Sequence, residues 1–447
     1  MRKALLAPML MLALLLPLPA AAQEAALALA IAADDADALR AALAKGADAN
    51  AVLEYGETPL ARAVETQDPA LVAALLKAGA KPDRADVLGL TPLLLGCERG
   101  NGAIVRALLA AGAVAGRAGA DGVTPLAMCA RFSDASAVSA MIARGVPVEA
   151  VDVRGQTALM WAASAGRVEA FGALIKAGAA VNRVTTNGFT PLFFALASGK
   201  SDIVSIAVAA GADVHRRGPE NTSTLQMALY QKNWGAAEQL VGLGADLAEL
   251  DREGHRPLHV AAAAGQGALI AALLAKGAQP DALTGPSRIT WVTEANFGMA
   301  PPPVQPTTAL IMAAKAGRAD AMQRLVAAGA DKRFVDGAGI NVVLAAAGSR
   351  SAAALAVALD LSPDANVADK QRNTALHMLA GGPFFSDLPA MLQLLATRGA
   401  RTDLADAKGK SALQVLTDGL ATVQAAFHDV FPAQPSGKPP VGLALSR

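Results

Sequence analysis

The chain of 447 residues has few aromatic side chains, no excess of either charge and only two cysteines. Aromatic residues make up 4% of the sequence although hydrophobic residues make up 53%, which excludes a core built around large rings. Such a composition favours short helices that pack closely. Lys and Arg number 39 against 38 Asp and Glu, and no long run of either sign occurs, so nothing indicates binding to nucleic acid or to an anionic membrane.

One apolar run, at the N-terminus, has the composition of a secretory signal. Arg2 and Lys3 precede a stretch of signal-peptide length, which leads to a small-x-small cleavage site at Ala20 and Ala22. We therefore expect a signal peptide over residues 1–22, export of the remainder, and no membrane insertion after cleavage. A retained membrane anchor is the alternative.

Two sequence markers recur with one period along most of the chain. A glycine, followed by Ala at every position except Gly145, returns every 33 residues, at Gly46, Gly79, Gly112, Gly145, Gly178, Gly211, Gly244 and Gly277. Thr-Pro-Leu or a variant keeps the same register at Thr58, Thr91, Thr124, Thr157, Thr190, Ser223 and Arg256, and later at Thr308, Asn341, Thr374 and Ser411. Thr caps a helix and Pro suits its first position, while Gly ends the next helix, so the spacing predicts repeated helix pairs.

The 33-residue period with Thr-Pro-Leu-x-x-Ala resembles the ankyrin repeat, and the resemblance covers nearly all of residues 23–431. It implies an all-α fold, an α-solenoid with short β-hairpin loops. About twelve helix pairs are expected, starting near residues 25, 58, 91, 124, 157, 190, 223, 256, 308, 341, 374 and 411. A glycine precedes most of the threonines by two residues, and at one such position Asn221 replaces it. Asn tolerates positive φ better than most residues, so we expect a left-handed turn there.

The register is interrupted by a long insertion before Thr308 and by a smaller one of four residues around Gly381 to Ser386. The step from Arg256 to Thr308 is 52 residues, 19 more than the period, and the extra residues lie at about 284–303. They include Trp291 and Phe297, and their content of aromatic and β-branched residues favours an ordered finger that extends a binding surface. An unstructured insertion is the alternative. Residues 432–447 are rich in Pro and Gly, which predicts a disordered tail.

The two cysteines lie on the first helices of adjacent repeats, because Cys97 and Cys129 are 32 residues apart. Neighbouring helices are about 8–10 Å apart, whereas a disulfide needs Cα atoms about 4.4–6.8 Å apart. This comparison favours two buried free thiols. A disulfide is the alternative, since the offset of one residue from the repeat period brings the cysteines closer together.

No residue set points to catalysis, a cofactor or a metal. His255 and His259 are four residues apart, but Pro257 places His255 before the helix rather than on it. Gly199-Lys200-Ser201 lacks the glycine that a phosphate-binding loop needs five residues earlier. We therefore expect no enzyme, with a site hidden in the insertion as the remote alternative.

The resemblance implies a function in binding another protein through the concave surface, which hairpin tips and first helices line. Carried onto this sequence, the tips offer Tyr55, Leu88, Leu90, Arg154, Phe189, Glu253 and His255, the helices offer Arg99, Arg131, Phe132, Tyr230 and Gln231, and the insertion adds Trp291 and Phe297. Trp161 and Trp234 are assigned to the core. We expect a monomeric scaffold or regulator in the bacterial periplasm. A secreted effector that binds a host protein is the alternative.

Overall fold

The computed structural model describes residues 20–87, 89–119, 121–287, 305–417 and 419–432. The chain divides into two compact units, Met1–Asn221 and Thr222–Arg447. Within the described ranges the chain forms 24 α-helices, arranged as successive pairs, and no β-strand. None of these helices is both long and apolar enough to cross a membrane.

The first unit contains the first six helix pairs, in which a short first helix is followed by a second helix. They are α1 (Ala20–Ala32) and α2 (Ala36–Ala44), α3 (Pro59–Glu65) and α4 (Pro69–Lys77), α5 (Pro92–Glu98) and α6 (Gly102–Ala110), α7 (Pro125–Phe132) and α8 (Ala135–Ile142), α9 (Ala158–Ser164) and α10 (Val168–Lys176), α11 (Pro191–Ala197) and α12 (Ser201–Ala209).

The second unit contains the other six pairs. They are α13 (Thr224–Tyr230) and α14 (Trp234–Gly242), α15 (Pro257–Ala264) and α16 (Gly267–Ala275), α17 (Ala309–Lys315) and α18 (Ala319–Ala327), α19 (Val342–Gly348) and α20 (Ala352–Leu361), α21 (Ala375–Ala380) and α22 (Leu388–Thr397), α23 (Ala412–Thr417) and α24 (Ala421–Val430). The predicted all-α fold and its twelve helix pairs are confirmed.

The sequence markers act as predicted at the helix ends. In α3 the Thr58 hydroxyl accepts a hydrogen bond from the amide of Ala61 at 3.1 Å, and Pro59 fills the first helical position. The second helices bury an apolar stripe; Leu71 and Leu75 of α4 are fully buried. Helix α1 begins three residues before Gln23, the predicted mature N-terminus, and signal cleavage stays a prediction.

A repeated pair of hydrogen bonds closes the loop before each of several first helices. The amide of Asp152 donates to the carbonyl of Gln156 at 3.1 Å, and a carboxylate oxygen of Asp152 accepts from the amide of Gln156 at 2.9 Å. Thr185 and Phe189 repeat this pairing, at 2.9 and 3.0 Å, with the threonine hydroxyl in place of the carboxylate. The predicted hairpin loops are thus tight turns that hold only isolated bridges within the described ranges.

The same pairing closes the loop that carries the insertion. The amide of Thr284 donates to the carbonyl of Thr307 at 3.0 Å, and the Thr284 hydroxyl accepts from the amide of Thr307 at 3.0 Å. Both threonines are buried. The insertion therefore replaces only the tip of an otherwise ordinary repeat. Its residues 288–304, including Trp291 and Phe297, lie outside the described residues.

Cys97 and Cys129 form a disulfide, so the prediction of two free thiols was wrong. Their Cα atoms are 4.4 Å apart. The error came from comparing the distance between helix axes with a distance between Cα atoms. Each Cα lies about 2.3 Å from its own axis, so facing residues on α5 and α7 come closer than the axes by about twice that distance.

Two non-glycine residues adopt positive φ at the turn position two residues before a helix N-cap. Asn221 has φ of 61°, as predicted from its place in the glycine series. Arg372 stands at the same position before Thr374, with φ of 61°. Arg has no intrinsic preference for this conformation, so the repeat geometry imposes it.

Candidate functional site

Three hairpin tips of the first unit expose apolar side chains. Tyr55 is 75% exposed, Val87 is 74% exposed and Val153 is 72% exposed. A Cβ atom added at Gly56 would overlap the side chain of Val87, so the tip carrying Tyr55 contacts its neighbour. The sequence predicted Tyr55 but not the two valines, which stand four residues before the N-cap threonines of α5 and α9.

Leu90 and Phe189, predicted as tip residues, lie at the bases of their loops. The backbone of Leu90 pairs with Asp86, and that of Phe189 pairs with Thr185, because both precede an N-cap threonine directly. Phe189 is half-buried, with its ring centroid 6.0 Å from the Phe193 and Phe194 rings of α11. Its main contribution is packing. Leu88 lies outside the described residues.

At the end of α5, Arg99 takes part in a surface ion pair with the preceding repeat. Its guanidinium donates to Glu65 at the end of α3, at 2.9 Å. Both side chains are exposed, so this pair contributes little to stability. Arg99 is therefore half of a neutral ion pair on the surface.

The next repeats hold an aromatic and basic group that we name the Arg131 cluster: Arg131, Phe132, Arg154, Trp161 and Arg167. The Arg131 guanidinium lies 5.2 Å from the ring centroids of both Phe132 and Trp161. Trp161 is 8% exposed, which confirms its assignment to the core, and Phe132 is 38% exposed. Trp234, assigned likewise, is only half-buried at the start of α14.

Hydrogen bonds fix the frame of the Arg131 cluster. The indole of Trp161 donates to the buried carboxylate of Asp152 at 3.2 Å. Arg167 donates to the carbonyls of Arg131 and Phe132, at 2.9 and 3.3 Å, and so satisfies the C-terminal end of α7. The exposed Arg154 lies on the tip between α8 and α9, with its Nε 4.0 Å from a carboxylate oxygen of Asp152.

In the second unit, Tyr230 and His255 line a small cavity of about 50 Å³ together with Leu229, Asp251, Pro257 and Val260, among others. Tyr230 is 47% exposed, and its hydroxyl accepts from the amide of Arg252 at 3.4 Å. The neighbouring Gln231 is exposed at the end of α13.

The imidazole of His255 is held between two carboxylates. Its Nδ1 lies 3.3 Å from Glu253 and 3.7 Å from Asp251. The hydrogen bond with Asp251 raises the pKa of His255 in spite of partial burial. Burial alone would raise the pKa of Asp251, but the hydrogen bonds from His255 hold it below its usual range. Both carboxylates thus favour the protonated form of His255.

Residues 126–218 match the family described as ankyrin repeats, in three copies. The chain thus contains ankyrin repeats. A similar solved structure is the ankyrin repeat domain of Bcl-3, described as a unique member of the IkappaB protein family. The two sequences are 27% identical over the matched region, which covers 45% of this chain and 93% of the Bcl-3 chain, with a TM-score of 0.39. No curated protein matches the chain.

The buried His259, three residues after the N-cap Arg256 of α15, uses both ring nitrogens within the fold. Nδ1 of His259 accepts from the amide of Arg256 at 3.2 Å, and Nε2 donates to the carbonyl of Thr307 at 3.2 Å. Burial lowers the pKa of His259 to about 4. His259 is thus not available as a metal ligand. Among the described residues, no three His, Cys, Asp or Glu side chains gather in a way that could hold a metal ion.

Proposed function

We propose that this ankyrin-repeat protein is a non-enzymatic scaffold or regulator that binds a protein partner through its hairpin tips, the exposed sides of its first helices and its inserted segment. One observation carries the proposal: in each unit these positions expose aromatic side chains, Tyr55 and Phe132 in the first and Tyr230 in the second. Aromatic residues and Arg are enriched at the centres of protein interfaces. We propose that the protein acts as a monomer.

The disulfide between Cys97 and Cys129 supports export to an oxidising compartment. Disulfides persist in the bacterial periplasm and outside the cell, whereas reducing systems keep most cytosolic thiols free. Together with the sequence of residues 1–22, it favours the periplasm as the proposed location. A secreted effector that engages a host protein has the same chemistry, and fractionation of producing cells separates the two.

Site-specific photocrosslinking tests the proposed surface. A benzoylphenylalanine residue is placed at Tyr55, Phe132 or Tyr230, and matched controls carry it at Glu169 of α10 and Gln323 of α18, exposed residues on second helices. We expect irradiation in periplasmic extract to give the same covalent adduct from the first three positions and none from the controls. Adducts that form equally from all five positions would contradict the proposal.

A further inference from the structure

Among the described residues, the guanidinium of Arg131 contacts two aromatic rings and forms no ion pair. The Phe132 and Trp161 rings, each 5.2 Å away, hold it by cation–π contact. Trp161 is itself fixed, since it is buried and bonded to Asp152. A side chain that is already held loses little conformational freedom when a ligand binds. Arg131 is therefore ordered before any partner arrives.

No carboxylate of the described residues lies within 4.0 Å of the Arg131 guanidinium, in contrast to Arg99, which pairs with Glu65 one repeat earlier. Asp152 does not supply one, because its buried oxygens already accept from the amides of Arg154 and Gln156 and from the indole of Trp161. The Arg131 guanidinium lies near both rings, and its N–H groups are donors of the kind that suits a carboxylate.

The surroundings favour an anionic group at this position. Arg154 is exposed on the adjoining tip, and Arg167 is anchored to the carbonyls at the end of α7. The arginines are connected through shared contacts: Arg154 lies 4.0 Å from the Asp152 carboxylate that Trp161 also contacts, and Arg167 bonds to the backbone of Arg131. The half-exposed Phe132 ring adds an apolar contact for the carbon chain of the same ligand.

We propose that the Arg131 cluster is the recognition site for a carboxylate side chain within an acidic and apolar segment of the protein partner. The proposal rests on the proposed function for the kind of partner. Charge along the surface favours a peptide over a nucleic acid. Glu65 and Glu98, exposed at the equivalent position of the two preceding repeats, would repel a backbone that is charged at every nucleotide, whereas a peptide can place apolar side chains opposite them.

Fluorescence anisotropy with a labelled peptide tests the site. The probe is the peptide Leu-Asp-Glu-Leu-Glu-Asp-Leu, compared with its amide counterpart Leu-Asn-Gln-Leu-Gln-Asn-Leu. We expect the acidic peptide to bind with a dissociation constant in the millimolar range or tighter, and to bind more weakly as salt is added. Arg131→Gln should weaken it by about tenfold, since a charged hydrogen-bonding partner is lost.

Three further variants serve as controls for the loss of peptide affinity in Arg131→Gln. Arg324→Gln removes a guanidinium that pairs with Asp320 on α18, and should leave peptide affinity unchanged. Arg131→Lys keeps the charge but loses the planar, two-point contact, and should still weaken binding. Phe132→Ala, which removes an exposed ring, serves as a second test if Arg131→Gln melts below the parent chain.

Four results would overturn the proposal: undetectable binding of the acidic peptide, equal affinity for its amide counterpart, unchanged affinity in both Arg131→Gln and Phe132→Ala, or tighter binding of the oligonucleotide dT20. The crosslinking experiment reports separately on the proposed function. An adduct from Phe132 that forms equally well in Arg131→Gln leaves the scaffold function standing and contradicts only the carboxylate site. Peptide binding that depends on Arg131, without any crosslinked adduct, leaves the carboxylate site standing and contradicts the proposed scaffold function.

Discussion

The disulfide between Cys97 and Cys129 joins α5 to α7 with a Cα separation of 4.4 Å, beneath the surface that carries Arg99 and Arg131. Both sulfur-bearing residues are fully buried. The bond therefore ties together two adjacent repeats at the level of their first helices, next to the Arg131 cluster.

Denatured protein alkylated without reductant should show no labelled cysteine, and both cysteines should be labelled after reduction. Removing the cross-link of 32 residues should cost about 2–4 kcal/mol in the free energy of unfolding. Urea melts with and without reductant measure this loss. In the double variant Cys97→Ala and Cys129→Ala the two melts should coincide. Full labelling without reductant would show that the thiols are free.

The buried His259 should make stability depend on pH below neutrality. Its pKa is about 4 in the folded chain and about 6.5 when unfolded, so the unfolded state binds more protons between these values. The contribution of His259 to the free energy of unfolding is therefore complete above about pH 6.5. It falls by about 3 kcal/mol as the pH drops toward 4. Urea melts at pH 7.5 and 4.5 measure the loss.

Gln is the natural control for His259, because Gln226 holds the same repeat position in α13. Its Oε1 accepts from the amide of Ser223 at 3.4 Å, and its Nε2 donates to the carbonyl of Leu250 at 2.9 Å. We expect His259→Gln to preserve stability at pH 7.5 and to lose less between pH 7.5 and 4.5 than the parent. Equal losses in the two proteins would assign the pH dependence to other groups.

Replacing Arg372 by glycine should stabilise the second unit. The residue is exposed with φ of 61°, a conformation that costs a non-glycine residue about 1–2 kcal/mol. Part of this gain is offset by the greater freedom of glycine in the unfolded chain, so we expect a net gain of about 0.5–1 kcal/mol. Arg372→Val, a β-branched residue, should destabilise the unit. Thermal melts of both variants test the prediction, and a loss of stability in Arg372→Gly would contradict it.

The inserted segment should be removable without loss of the fold. Residues 285–306 are replaced by the three-residue tip Arg-Glu-Gly, which keeps the base pair of Thr284 and Thr307. Since a shorter loop costs less entropy to close, Tm should be unchanged or slightly raised. Thr284→Val, in contrast, leaves the buried amide of Thr307 without its acceptor and should cost about 1–3 kcal/mol.

Capture of the binding partner tests whether the inserted segment is part of the binding surface. The loop replacement, and Trp291→Ala alone, should weaken capture by about tenfold or more if the insertion contributes an aromatic anchor. Capture that follows only the folded fraction of each variant would show that the insertion is not part of the binding surface.

The fold could be predicted because each repeat carries the same local instructions. A helix cap, a proline and a turn glycine recur with one period. The register therefore remains clear at Ser223 and Arg256, where another residue replaces the N-cap threonine. The disulfide was missed for a geometric reason, because the repeat gives the distance between helix axes, which is larger than the distance between Cα atoms that face each other.

The candidate site was harder to predict because exposure depends on single positions within a loop. Leu90 and Phe189 were assigned to tips, but the residue before the N-cap is held at the loop base by two hydrogen bonds. Val87 and Val153, nearer to the tip, carried no distinctive chemistry. The cation–π contact between Arg131 and Trp161 joins two repeats, and the direction of a side chain cannot be obtained from residue spacing alone.

The closed base formed by Thr284 and Thr307 makes the tip of this repeat an exchangeable part. Twenty-two residues stand where Arg252, Glu253 and Gly254 stand in the preceding loop, yet α15 and α17 pack directly on each other. New recognition sequences can therefore arise in a tip by insertion or recombination while the helices are inherited unchanged. For protein engineering, the same position is an acceptor site for grafted peptides.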